Sequence, residues 1–131
     1  GAGCVVTPTL HNVILWGNMH LQMYNENAVP VVGHSIIQDS GGSGARDGAL
    51  GTDAGGNLDT DPMLGPLQDN GGGLPTLLPG ELGSAVDNGD ANSCPALDQR
   101  GIARPQGAGC DIGAVEVVPD RIFSDGFDEL P

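Results

Sequence analysis

The chain contains no lysine, and only four arginines stand against its 17 Asp and Glu residues. A formal charge of −13 argues against nucleic acid, whose binding requires a basic patch that displaces counterions. It argues equally against anionic membrane surfaces. Aromatic residues are nearly absent, with one Trp, one Tyr and two Phe, so any core must be aliphatic. No run of roughly 18 apolar residues exists, which excludes a membrane-spanning helix. Neither a CxxC pair nor a spaced His pair is present, which speaks against structural zinc. No signal peptide is visible and the first residue is not Met, so a processed or excised piece of a longer precursor is expected.

What the chain does have is glycine and proline. The 23 Gly and 10 Pro make up about a quarter of it, a level at which disorder must be weighed. Against disorder, 38% of the residues are hydrophobic, in short clusters such as "NVILW", "HSIIQ" and "DIGAVEVV". Such clusters can be buried, so a folded, turn-rich β protein is expected. Gly and Pro interrupt the chain too often for long helices; one short helical turn is allowed over 82–86.

Setting "NVILWGN" (12–18) over "HSIIQDS" (34–40) aligns Ile14 with Ile36 and Leu15 with Ile37. The offset of 22 residues falls in the range of one coil of a parallel β-solenoid. Between the apolar runs lie "SGGSGARDGALGTDAGGNLDTDP" and "LQDNGGGLP", read as loops in which Gly supplies positive φ and Asn and Asp cap their own turns. From Pro119 the composition shifts to charge with isolated aromatics. The expected organisation is therefore a unit over 1–118 and a tail over 119–131.

The ordered series "NLDTDPMLGPLQDNGG", "LLPGELGSAVDNGD" and "DQRGIARPQGAGCDIGAVE" resembles the C-terminal part of secreted bacterial proteins of the choice-of-anchor Q domain type. These are related in style to polymorphic outer-membrane proteins and adhesin passengers, and the resemblance runs over roughly residues 10 to 118. It implies an all-β fold, a right-handed parallel β-helix, with C-terminal coils and a loop-rich cap. It also implies an extracellular or cell-surface location in a Gram-negative bacterium. The closing "RIFSDGFDE" resembles an IF-x-DGFE tail of secreted proteins.

Cys94 and Cys110 bracket "PALDQRGIARPQGAG". A bridge between them would close a loop worth on the order of 3 kcal/mol in the chain-entropy model, and an oxidising compartment favours a disulfide over a free or metal-bound pair. Inside and beside this loop, Arg100 and Arg104 have Asp98, Asp111 and Glu116 close in sequence. Guanidinium forks suit carboxylates and backbone carbonyls, so these five residues are expected to form a latch over the last coil rather than an active site. Cys4 is left over, either a buried thiol or a partner to a residue upstream.

The acidic turns over 57–62 and 87–90 have the oxygen-rich composition that can ligate calcium, yet match neither the EF-hand loop nor the nonapeptide calcium repeat; solvated Asx-turns are the plainer expectation. Asn12, Asn18 and Asn25 are candidates for stacked polar ladders. His11 and His34 fall within one place of each other in the repeat and read as equivalent rung positions. No metal, cofactor or catalytic residue is expected.

The function these features imply is a non-enzymatic extracellular segment, adhesin-like, that caps a longer β-helix and displays a lateral surface to glycans or proteins. Two alternatives stand beside it. Because "GAGCVVTPTLHNVILW" has no evident cap, an unpaired first edge would meet upstream coils or a neighbouring copy, giving a stacked filament. The chain could also be the C-terminal part of a polysaccharide-active enzyme, although a pair of carboxylates is easy to find among so many acids and a G-x-S-x-G context is lacking.

Overall fold

The computed structural model describes residues 5–19, 21–44 and 48–118. Cys4, His20 and the tail over 119–131 lie outside the described residues.

Among the described residues, seven short strands follow in order: β1 (Thr9–His11), β2 (Ile14–Leu15), β3 (Val31–Gly33), β4 (Ile36–Ile37), β5 (Thr52–Asp53), β6 (Leu67–Asp69) and β7 (Pro75–Leu77). β1, β3 and β5 form one parallel sheet and β2 and β4 another. The pairing keeps the offset of the aligned apolar runs, since Ile14 faces Ile36 and Leu15 faces Ile37. The corner between paired strands also repeats: Asn12 (φ 59) follows β1 and His34 (φ 46) follows β3. Asn and His are among the side chains that enter this left-handed region most readily. Polar side chains bridge the corners where the strands interrupt. Ser35 Oγ accepts from the Val13 amide at 3.2 Å, and Asn57 Oδ1 accepts from the Ser35 amide at 3.0 Å. Asn57 Nδ2 then donates to the Val32 carbonyl at 2.7 Å.

The expected right-handed parallel β-helix is not what forms. The strands lie in separate small sheets, and no sheet closes or continues as a solenoid. After β5 the parallel register ends, and β6 and β7 pair antiparallel around the 70–74 loop, Leu67 opposite Leu77 and Asp69 opposite Pro75. The physical reason lies in the sequence beyond Leu58. Prolines at 62, 66, 75 and 79 remove amide donors that a continuing ladder requires. The Asn-Gly-Gly run at 70–72 is a hairpin turn signal. With the coils goes the idea of a last coil to be covered. Residues 82–86 form turns without a helix, and the helical content among the described residues is two single 3-10 turns, Gly48–Leu50 and Ala91–Ser93. Asn12, Asn18 and Asn25 make no common ladder: Asn12 bonds Asp90, Asn18 bonds Gln22 four residues on, and Asn25 bonds the Ala49 carbonyl.

The core is small. Ile36, Ala85 and Ile112 are fully buried, with Ile14, Trp16 and Leu58 packed against them. Burial of each isoleucine is worth about 1.5–3 kcal/mol. The C-terminal segment reaches this core as an inserted strip. The Ile112 amide donates to the Ala85 carbonyl at 2.9 Å and the Gly113 amide to the Asn12 carbonyl at 2.8 Å, so residues from both ends of the chain meet there. Nearby, Gly51 has φ 96, and a Cβ there would collide with the Pro30 carbonyl oxygen, the group that accepts the Thr52 amide. Gly51→Ala is expected to cost about 1–3 kcal/mol, read as a lowered urea midpoint; an unchanged midpoint would show that the β3–β5 approach is loose.

No helix among the described residues is long and apolar enough to cross a membrane.

Candidate functional site

The segment bracketed by cysteines carries the densest set of buried charges. Asp98 begins it. Its Oδ1 accepts from the Arg100 amide at 2.7 Å and the Ile102 amide at 3.0 Å, while Oδ2 accepts from the Glu116 amide at 2.8 Å. One short side chain thus shapes its own turn, as Asp commonly does, and ties it to the C-terminal strip. Oδ2 also receives Arg100 Nε at 3.1 Å. Arg100 then reaches outward, Nη1 donating to the Asn70 carbonyl at 2.9 Å and Nη2 to the Glu116 carbonyl at 2.6 Å. The 70–74 loop can lie this close because Gly72 has no side chain: a Cβ there would sit 3.0 Å from Arg100 Cα.

Arg104 is the second fork. Nη1 donates to the Asp111 carbonyl at 3.0 Å and pairs with Glu116 Oε1 at 3.1 Å, and Nη2 donates to the Gly113 carbonyl at 2.8 Å. Its side chain is 4% exposed and that of Glu116 0%. Arg104 Nε is buried and has no partner among the described residues. Glu116 Oε1 also accepts from the Asp111 amide at 3.0 Å, and Oε2 from the Gln106 amide at 3.2 Å. Asp111 completes the set, accepting from the Asp87 amide at 2.8 Å and the Val117 amide at 2.6 Å. Cys94 and Cys110 are joined by a disulfide, which is compatible with an extracellular location.

All five charged residues singled out in the sequence therefore come together. Two further residues belong with them: Asn70, which the sequence places in a loop, and Asp87, which it offers as part of an acidic turn and not of this cluster. Asn70 supplies a carbonyl to Arg100 and uses its side chain on Thr76, at 3.0 Å to the carbonyl and 2.9 Å to Oγ1; the Asn-Gly turn was its signal. Asp87 (φ 62) receives the Gly109 amide on Oδ1 at 3.2 Å and donates its own amide to Asp111; nothing in its local sequence announces this.

The two aspartates of this cluster are shifted in opposite senses. Burial opposes ionisation of Asp98, but the amides of Glu116, Ile102 and Arg100 and the Arg100 guanidinium outweigh it, so its pKa lies below the usual value. Burial pushes Asp111 up, and the charges of Glu116 and Asp87 add to the rise against the opposing amides of Asp87 and Val117. The Asp98 contribution to stability is complete above the unfolded carboxyl pKa of about 3.9 and is lost as pH falls through the lower folded value. Asp111 has the reverse dependence, favouring the fold most in acid and less as pH rises through its raised value. Urea midpoints measured from pH 6 downward are expected to fall on acidification in the wild type, and to fall less steeply in Asp98→Asn. Equal slopes in the two proteins would remove Asp98 from the acid response.

The acidic turns are committed to backbone. Asp59 accepts from the amides of Asp39 and Gly41, both at 2.9 Å, Asp61 from that of Met63 at 2.7 Å, and Asp90 from that of Asn92 at 3.0 Å. Among the described residues, no three His, Cys, Asp or Glu side chains form a group suited to a metal ion. His11 and His34 do not pair with each other: His11 lies opposite Gly33, with Nδ1 3.5 Å from Asp90 Oδ2, and His34 Nδ1 is 3.4 Å from the Asn88 carbonyl.

An open groove of about 830 Å³ runs beside this cluster. Residues 11–16, Leu67, Leu77, Gln99 and Arg104 are among those that line it. Asp98 is the one acid in its lining among the described residues, and that carboxylate is already occupied by amides and by Arg100. No family model, curated protein or solved structure matches the chain in comparisons with each.

Proposed function

We propose that the chain is a non-enzymatic structural module of an extracellular protein, in keeping with its resemblance to the C-terminal part of choice-of-anchor Q domain proteins. The observation that carries this reading is the state of the groove. Glycoside hydrolysis needs two carboxyl groups flanking the scissile bond, roughly 5–10 Å apart. Among the described residues the groove is lined by a single acid, Asp98, whose oxygens are taken up by the amides of Arg100, Ile102 and Glu116 and by the Arg100 guanidinium. Glu116 and Asp111 are likewise engaged with main-chain amides. Groups held this way organise backbone, and the disulfide adds a covalent closure suited to an oxidising location.

The test is a panel of neutral and acidic polysaccharides incubated with the purified chain and assayed for new reducing ends and unsaturated products. No product above background is expected from any glycan. Sustained product formation that scales with protein and disappears in Asp98→Asn would overturn the structural reading.

A further inference from the structure

The groove beside the buried charges is walled by residues 11–16, the β6–β7 hairpin, the segment that follows Cys94 and the strip at 113–115. Its volume of about 830 Å³ falls within the roughly 300–1,000 Å³ of small-ligand sites. Its lining disfavours charged ligands. Apart from His11, the ionisable residues that line it among the described residues are Asp98 and Arg104, whose side chains are 0% and 4% exposed. Each is already paired, Asp98 with Arg100 and Arg104 with Glu116, so neither is left for a ligand ion. Acids stand close by without lining the groove: Asp90 lies 3.5 Å from His11, and Asp69 sits opposite Pro75 in the hairpin. With a formal charge of −13 on the chain, an approaching anion is repelled, and a cation finds no free carboxylate inside.

What remains is an apolar surface with a few uncharged polar groups, the make-up of a site that orients a neutral ligand. Trp16 packs against the core and also lines the groove. Its indole is a broad apolar face of the kind against which the C–H face of a sugar ring packs. Asn18 and Gln99 line the groove and are exposed. A side-chain amide both donates and accepts, which matches a hydroxyl group that does the same. Arg104 adds a donor, since its Nε is buried with no partner among the described residues. A hydroxyl oxygen satisfies such a group without bringing a charge.

We infer that the groove binds a neutral oligosaccharide, which packs a ring on Trp16 and exchanges hydrogen bonds with the amides of Asn18 and Gln99. This binding rests on the non-enzymatic reading of the same groove and gives it a ligand: the sugar is held and released intact. An uncharged polyol also fits the charge balance, because it neither meets the repulsion of the acidic body nor competes with Arg100 and Arg104 for their carboxylates.

The test is titration of the intact chain with cellohexaose, maltohexaose, mannohexaose and N-acetylchitohexaose, with a galacturonate hexamer as the acidic control. Trp16 is the sole tryptophan, so its emission reports directly on the groove. At least one neutral hexamer is expected to shift that emission saturably, with a Kd of about 1 mM or tighter that does not change with NaCl. The acidic hexamer should give no shift. Measured by calorimetry, Gln99→Ala should weaken binding about three- to tenfold, as for one lost hydrogen bond, and Trp16→Phe at least as much. Because Gln99 is exposed, its substitution should leave the urea midpoint unchanged. No binding of any neutral hexamer, equal binding of the acidic one, or indifference to both substitutions would each overturn the inference. Chromatography of the bound sugar separates the two readings: shortened products would overturn the non-enzymatic reading alone, and absent binding the inference alone.

Discussion

Replacing Arg104 with Met is expected to lower the unfolding free energy by about 3–5 kcal/mol, the usual cost of removing one partner from a buried ion pair. The loss exceeds that of an ordinary truncation because three acceptors depend on this one fork: the Glu116 carboxylate and the carbonyls of Asp111 and Gly113. Glu116 would keep its bonds from the amides of Asp111 and Gln106 but would remain an uncompensated charge, fully buried. Set against a total stability of about 5–15 kcal/mol for a typical domain, the variant should sit near its unfolding threshold. Arg104→Lys should recover less than half of the loss, since a single ammonium cannot reproduce the planar fork. Trp16, the sole tryptophan, packs against the core cluster, so urea unfolding followed by its fluorescence reads the change. A loss below about 1 kcal/mol, the range of a surface pair, would mean that the Arg104–Glu116 contact is dispensable.

Removing the disulfide should have the next largest effect. Cys94 and Cys110 are separated by 16 positions, and closing a loop of about that length is worth roughly 3 kcal/mol in the chain-entropy model. The Cys94→Ala/Cys110→Ala double variant should lose about this much. Both cysteines also meet the N-terminal corner and its neighbours, with Asn12 Nδ2 3.6 Å from Cys94 Sγ and Cys110 Sγ 3.7 Å from the Asp90 carbonyl. Combining the double variant with Arg104→Met should therefore cost less than the sum of the two, because both act on the same strip of chain. Full additivity would indicate that bridge and ion pair stabilise separate regions. Reduction of the wild type with dithiothreitol gives an independent reading of the first number and should agree with the double variant.

The register of the parallel strands was legible in the sequence because it rests on side-chain period alone: Ile14 over Ile36 and Leu15 over Ile37 is a statement about which apolar residues share a buried face. The cysteine pairing was legible too, through loop length and compartment. The extent of the parallel ladder was not. Two aligned runs do not say how many follow, and the prolines beyond Leu58 ended the ladder where the resemblance implied that it continues. The β6–β7 hairpin is hidden in the sequence although Asn-Gly stands at its turn, because Gln68 and Asp69 mask the apolar alternation that marks a strand. For the charged cluster, nearness in sequence pointed to the neighbourhood of Asp98, Arg100, Arg104, Asp111 and Glu116. Asn70 reaches Arg100 through its carbonyl and Asp87 reaches Asp111 through its amide, main-chain groups brought in by turns elsewhere in the chain, and such groups leave no trace in residue identity.

The central claim is that the buried charges near the C-terminus hold backbone, so the amides they bind belong to the most stable part of the molecule. Native-state hydrogen exchange tests this directly at Ile102, Asp111, Glu116 and Val117, whose amides donate to Asp98, Glu116, Asp98 and Asp111 respectively. The account predicts that these four exchange only through global unfolding, with opening free energies equal to that from urea and reduced in step by Arg104→Met. Exchange at the rate of freely opening loops, with the rest of the core still protected, would contradict it.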